Sequence, residues 1–322
     1  MSERDAGTTV ARPTPHSPLP PQASPRMRAW QRFRRNTPAM ISLGFLGALV
    51  ALVLLWPLLA PYGVNATTDA QFHPPGWRHW FGTDVHGRDL LTRVLYGARV
   101  SLLVGAVGAG VAFVIGVAWG AVSGYVGGRV DGAMMRFVDV LYSLPSIIFV
   151  IVLLTTVKAG AAKLLTGVLG PEAAPVAQML LLFGGLGAIS WLTMARIVRG
   201  QVLSLRQRAF VEASRVLGAG EARILWRHIL PNVWGIVIVY LTLTVPSVIL
   251  YESFLSYLGL GIQPPMASWG SLVADGAAQI NPIQIYWWLV VFPAATLVVT
   301  LLALNFIGDG LRDALDPRGE TR

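Results

Sequence analysis

The chain has 322 residues, of which 54% are hydrophobic and only 13% charged, with 25 Lys+Arg against 16 Asp+Glu. Several apolar runs exceed the ~18 to 20 residues that cross a ~30 Å hydrocarbon layer, so this is a multi-pass membrane protein whose basic excess is a topology signal rather than a nucleic-acid footprint. With no cysteine in the chain, disulfide frameworks, thiolate metal sites and cysteine nucleophiles are excluded.

Residues 1–38 hold seven arginines and many prolines but no apolar run. They read as a disordered cytoplasmic tail ending in a basic amphipathic stretch, Arg26 to Arg35, near the lipid surface. Residues 39–60 carry no charge and predict the first transmembrane helix. Residues 61–99 turn polar and read as an extracytoplasmic segment; its His73, His79 and His86 lack the i, i+4 spacing that sets two imidazoles on one helix face, so no metal site is expected. Residues 100–308 read as a five-helix core.

The second span is placed at Val100 to Gly128, where Gly116, Gly120 and Gly124 recur every four residues and make a smooth stripe for close helix packing. Phe137 to Val157 is the expected third span, with Pro145 inside it and Asp139 near its start, where Arg136 would neutralise the carboxylate. Ala173 to Ala195 follows as the fourth, Ile229 to Tyr251 as the fifth, kinkable at Pro246, and Ile283 to Gly308 as the sixth. Residues 252–282 form an extracytoplasmic loop rich in Gly, Pro and Trp, and residues 309–322 a charged cytoplasmic tail. If the N-terminus is cytoplasmic, 19 of the 25 Lys and Arg lie inside and 6 outside, which favours an N-in, C-in arrangement of six spans.

Residues 199–231 are a long polar insertion with apolar runs on both sides, and the same charge count places them in the cytoplasm. Phe210, Ser214 and Leu217 share one helical face, Gly218 and Gly220 end that helix, and Ile224, Leu225 and Ile229 restart the pattern. The insertion is a handle for something outside the membrane. No Gly-Lys dipeptide occurs anywhere, so a phosphate-cradling G-x-x-x-x-G-K-[ST] loop is absent, as are H-E-x-x-H and G-x-S-x-G. Catalytic residues and bound cofactors are not expected on this chain.

The run VEASRVLGAGEARILWRHILP resembles the EAA motif of binding-protein-dependent ABC importers: Glu212, Ala213 and Ser214, then Gly218, then His228, Leu230 and Pro231 at the family's spacing, with Ser214 where alanine is usual. FGTDVHGRDLLTRVLYGARVSLLVG, ESFLSYLGLGIQPPMASWG and NFIGDGLRDALDPR are similar to blocks of the C-type permeases of dipeptide and oligopeptide transporters. The resemblance implies an all-α permease of type I ABC importer architecture in a bacterial inner membrane. It would pair with a homologous B-type permease and sit on two ATPase subunits, which bind the ATP and Mg. Peptide would arrive from an extracytoplasmic binding protein. Residues 199–231 would then be the coupling element, with Glu212 as ionic contact to an ATPase and Phe210, Leu217 and Leu225 as apolar ones. For the substrate path, Glu252 is a candidate partner of a peptide ammonium, and Tyr257 or Trp269 of an outer gate. Nickel or another small solute stays open as cargo, and a secondary transporter or channel as the competing class.

Overall fold

The computed structural model describes residues 25–170 and 174–315. Among these residues all regular structure is helical, apart from one isolated antiparallel bridge between Thr83 and Asp89. The helices are α1 (Pro25–Arg35), α2 (Thr37–Leu59), α3 (Leu90–Val126), α4 (Gly128–Tyr142), α5 (Ser146–Leu169), α6 (Ala174–Arg206), α7 (Ala209–Val216), α8 (Glu221–Ile224), α9 (Leu230–Tyr257), α10 (Trp269–Ala277) and α11 (Trp288–Leu315). A single π-turn, Leu225–Ile229, joins α8 to α9.

Helix α3 is the spine, and the glycines along it explain why. A methyl group on Gly105 or Gly108 would run into Ile249 and Val248 of α9; one on Gly116, Gly120 or Gly124 would run into Met194, the Ala195 carbonyl and the Arg199 carbonyl of α6. The four-residue repeat therefore brings the α6 backbone against α3, as the stripe predicts. Gly187 returns the favour from α6, facing Val111. Residues 37–59, 90–126, 221–257 and 288–315 are long and apolar enough to cross a bilayer among the described residues; α4 with the start of α5 passes the same test only as a pair bent by 89°, a fifth crossing if the pair counts as one span.

Several boundaries differ from expectation, each for a physical reason. The second helix starts at Leu90 rather than Val100, because the charge of Arg93 is neutralised by Asp84 at 2.6 Å and the helix runs on through it. Its 37 residues rise ~55 Å, far beyond the hydrocarbon layer. The expected third span is broken at Ser143 to Pro145, since proline lacks the N–H a helix interior needs and disfavours a helical residue before it. Asp139 is paired not with Arg136 but with Arg196 of α6, at 2.8 Å. Helix α9 continues to Tyr257, so Glu252 lies inside a helix instead of opening a loop. The last helix is shifted to Trp288–Leu315 and passes through Asp309, Arg312 and Asp313, because Ala314 packs with Phe33 and Ala39. The same contact orders the end of the basic tail as α1, while residues 1–24 and 316–322 lie outside the described residues.

Candidate functional site

The polar insertion folds as two short helices about a glycine elbow. Gly218 takes φ +79°, a left-handed turn that other residues resist by ~1 kcal/mol or more, and the amides of Gly218 and Ala219 return to the carbonyls of Arg215 (2.9 Å) and Ser214 (3.0 Å) to close α7. The residues before Arg206 belong to the long helix α6. Val211, Ile224, Ile229 and Leu230 are buried and join Val117, Val198, Val202, Val233 and Val237 in one apolar cluster, which seats the elbow on α3, α6 and α9.

Polar ties fix the same seat. Arg199 grips Asp131 with two hydrogen bonds of 2.5 and 2.6 Å, and Ser123 donates to the same carboxylate at 2.5 Å, so α3, α4 and α6 meet at one point. Arg206 donates to the Tyr125 carbonyl at 2.8 Å, and Glu221 accepts from the Tyr125 hydroxyl while pairing with Arg215 at 3.2 Å. A body held this way moves with its helices.

Among its exposed charges the elbow presents large apolar side chains outward. Val216 and Leu217 are 87% and 86% exposed, Trp226 is 70% exposed, and Phe210 is exposed beside Glu212 and Ala213. Ser214 is half-buried with its hydroxyl donated to the Phe210 carbonyl at 2.8 Å; Leu225 and His228 are half-buried and Pro231 is exposed at the first turn of α9. Leu225 packs against the apolar cluster and Leu230 lies within it, so both face inward as part of the seat. Val216 and Trp226 were not singled out from sequence, although two bulky apolar residues amid arginines are the signal that marks them.

The three outer candidates separate. Glu252 is fully buried and accepts from Ser256 at 2.6 Å and from Ser101 at 3.4 Å. Trp269 is fully buried as well, donating its indole N–H to the Val94 carbonyl and its amide to Ser101, both at 3.2 Å. The two form a knot joining α3, α9 and α10, whereas Tyr257 is about half exposed. Replacing Glu252 with Ala leaves buried serine hydroxyls without their acceptor and is expected to cost about 2 kcal/mol, read as a lower thermal midpoint in detergent; Tyr257→Ala is expected to leave that midpoint unchanged.

The segment before α3 is more than a plain external loop. Asp84 accepts from the amides of His86 (2.9 Å) and Arg88 (3.0 Å), from the Arg88 side chain (2.7 Å) and from Arg93 (2.6 Å). Burial alone would raise the Asp84 pKa, but the Arg88 amide and the charges of Arg93 and Arg88 more than offset it and hold it below the ordinary value. Asp89 caps α3 through the Thr92 amide (2.9 Å) and pairs with His79 (2.9 Å), while Thr92 accepts from Trp56 of α2 (3.2 Å). His79 is thereby committed to a buried pair, and His73 contacts the Pro74 carbonyl.

Residues 116–320 match the family described as binding-protein-dependent transport system inner membrane component, and residues 24–75 match the N-terminal TM domain of oligopeptide transport permease C. The oligopeptide transport system permease protein OppC of Haemophilus influenzae is 47% identical over 294 residues, covering 90% of this chain and 88% of that protein. OppC of Escherichia coli strain K12 is 47% identical over 90% of each chain, and the dipeptide transport system permease protein DppC of Bacillus subtilis is 44% identical over 92% of this chain and 87% of its own. Among solved structures, a chain of the MetNI methionine ABC transporter in inward-facing conformations superposes with a TM-score of 0.51 at 20% identity, covering 70% of this chain and 98% of that one, a likeness of fold. The chain belongs to the inner membrane components of binding-protein-dependent transport systems, as a C-type permease of the oligopeptide and dipeptide branch.

Proposed function

We propose that this chain is one half of the membrane channel of an ATP-driven peptide importer and takes its driving force through the Gly218 elbow. The observation that carries this reading is the elbow itself: an exposed apolar face of Val216, Leu217, Trp226 and Phe210 on a body locked to three helices. Water would not retain such a face without a partner. An ATPase subunit is the partner the family supplies, with Glu212 at the rim and ATP and Mg bound on that subunit. This chain would then carry no catalytic step.

Six crossings follow when the bent α4–α5 pair counts as one and α6 as another, with both termini and the elbow in the cytoplasm, as the bias of 19 basic residues against 6 favours. A homologous B-type permease would complete the channel and an extracytoplasmic binding protein would deliver the solute. The relatives' names support peptide as cargo. Closure of the ATPase pair would swing the elbow and its helices between inward-open and outward-open states. Tyr257 would contribute to an outer gate, which Glu252 and Trp269 brace from behind.

Reconstitution tests the reading. The chain, its B-type partner, two ATPases and the binding protein, placed in liposomes, are expected to take up a labelled tripeptide only with ATP inside reach of the ATPases. Uptake that persists without the ATPase subunits would return the chain to the channel or secondary-transporter class. Uptake of a nickel complex with none of peptide would overturn the cargo and keep the mechanism.

A further inference from the structure

A groove of about 250 Å³ opens between the α4–α5 break, α6 and α9, on a wall that ends at Tyr251, one residue before the buried Glu252. Its wall carries an unusual density of hydroxyls, among them Ser146, Ser190, Thr193, Thr244, Ser247 and Tyr251, and no charged side chain. Resting on the import reading above, we infer that this groove is the chain's own wall of the water-filled solute path, and that it receives the main-chain amides of a peptide.

Three independent features put water or solute on this face rather than lipid. First, the chain between Tyr142 and Ser146 leaves the helix and turns by 89°, with Ser143, Leu144 and Pro145 exposed. Non-helical backbone at membrane depth is tolerated only when it is covered by protein or lines a water-filled cavity. Second, Arg196 and Asp139 form an ion pair at 2.8 Å with side chains 41% and 57% exposed, and the guanidinium lies 4.1 Å over the Tyr142 ring at the groove's edge. Asp139 is eight residues along α4 from Asp131, about 12 Å further along the helix than that carboxylate. Half-exposed charges in hydrocarbon would be strongly unfavourable.

Third, the hydroxyls are poised to accept. Ser190 donates to the Leu186 carbonyl (3.2 Å), Thr244 to the Tyr240 carbonyl (2.6 Å) and Ser247 to the Leu243 carbonyl (3.2 Å). Each spends its only proton on its own helix, leaving oxygen lone pairs for an outside N–H. Peptide main chain offers such donors at every residue, whatever its side chains. The wall holds no charged side chain and the Arg196–Asp139 pair at its edge is neutral as a pair, so acidic, basic and neutral peptides would pass alike.

The absence of cysteine from this chain makes the test direct. Ser190→Cys and Ser247→Cys, assembled with a cysteine-free partner permease, the ATPases and the binding protein, are exposed to a charged, membrane-impermeant maleimide at rest and after vanadate trapping. In at least one of these states both are expected to react about tenfold or more faster than Leu302→Cys on the apolar face of α11, and excess tripeptide is expected to slow them. Reaction as slow as Leu302→Cys in both states, with peptide uptake intact, overturns the groove while leaving import standing. Fast reaction that no peptide slows overturns amide recognition. If the unmodified assembly takes up no peptide, the import reading fails on its own, and the labelling rates still report whether water reaches the groove. A Ser190→Ala, Thr244→Val, Ser247→Ala variant supplies a second measurement: uptake is expected to fall about tenfold for acidic, basic and neutral tripeptides alike, and a loss confined to one charge class counts against the proposal.

Discussion

A Gly120→Ala permease is expected to lose about 3 kcal/mol of stability, the upper end of overpacking costs, and to aggregate in detergent well below the temperature at which the parent unfolds. The added methyl would meet the Ala195 carbonyl, the Val198 side chain and the Arg199 amide, and two of these three are backbone that cannot rotate away. Relief requires α3 and α6 to separate along their whole shared length, which also strains the Asp131–Arg199 contact at the elbow end. Gly110→Ala on the same helix meets nothing within 4 Å and is expected to change stability by no more than about 0.5 to 1 kcal/mol, in the stabilising direction helix propensity predicts. Thermal midpoints of the two variants in one detergent decide the matter. Equal midpoints would mean that the seam yields, and that close approach of these helices is not what the glycines are for.

The second large effect concerns energy coupling. Val216 and Leu217 are almost fully exposed, so Val216→Asp with Leu217→Asp is expected to leave folding and insertion unchanged. Desolvated apolar anchors at an interface are worth about 2 kcal/mol or more each, so attachment of the ATPase is expected to weaken by roughly 30-fold per residue and uptake to vanish. Gly218→Val separates shape from contact. Nothing lies within 4 Å of its position, so the substitution acts only through φ +79°, at about 1 to 2 kcal/mol, by splaying α7 from α8. Glu212→Lys adds the charge reversal at the rim. Co-purification of the ATPases and peptide-stimulated ATP hydrolysis are the readouts, and normal coupled uptake by the aspartate and valine variants together would defeat the assignment of this face.

Much of the architecture was legible in the residues, and the reasons differ by element. The glycine stripe at Gly116, Gly120 and Gly124 predicted a packing seam because small residues every four positions have one geometric use in a membrane helix. The elbow was legible because Gly218 interrupts an amphipathic pattern that resumes at Ile224. Helix ends were read poorly, since charge was taken as the edge of the membrane. Arg93 and Asp309 both sit inside helices, one compensated by Asp84 and the other on a helix whose end packs against α1. Glu252 and Trp269 were judged by residue type, and type does not reveal that Ser101, one hundred and fifty-one positions away from Glu252, would fold against them. The break at Pro145 was visible as a proline, but a proline in a sequence does not state an angle, and the 89° bend appears only in the fold.

The π-turn at Leu225–Ile229 governs the angular phase of everything after it. Buried positions run Ile224, Ile229, Leu230, Val233 and Val237, with a gap of five from Ile224 to Ile229 and steps of four from Ile229 to Val233 and Val237. In an unbroken α-helix, at about 100° per residue, a gap of five would carry Ile229 roughly 140° away from Ile224 and turn one of them outward. The wider turn absorbs the extra residue, so the apolar seam runs from the elbow into α9 without a step. Deleting one residue there would leave an ordinary α-helical turn with a gap of four, about 40° off the seam, and keep Val233 and Val237 on the core; inserting a further residue without widening the turn would instead rotate α9 by about 100° and draw the exposed Trp234 or Ile238 off its present side. Torque applied at the elbow is therefore delivered to α9 in register, and one more residue inserted beyond what that turn absorbs would misdirect it by about a quarter of a revolution.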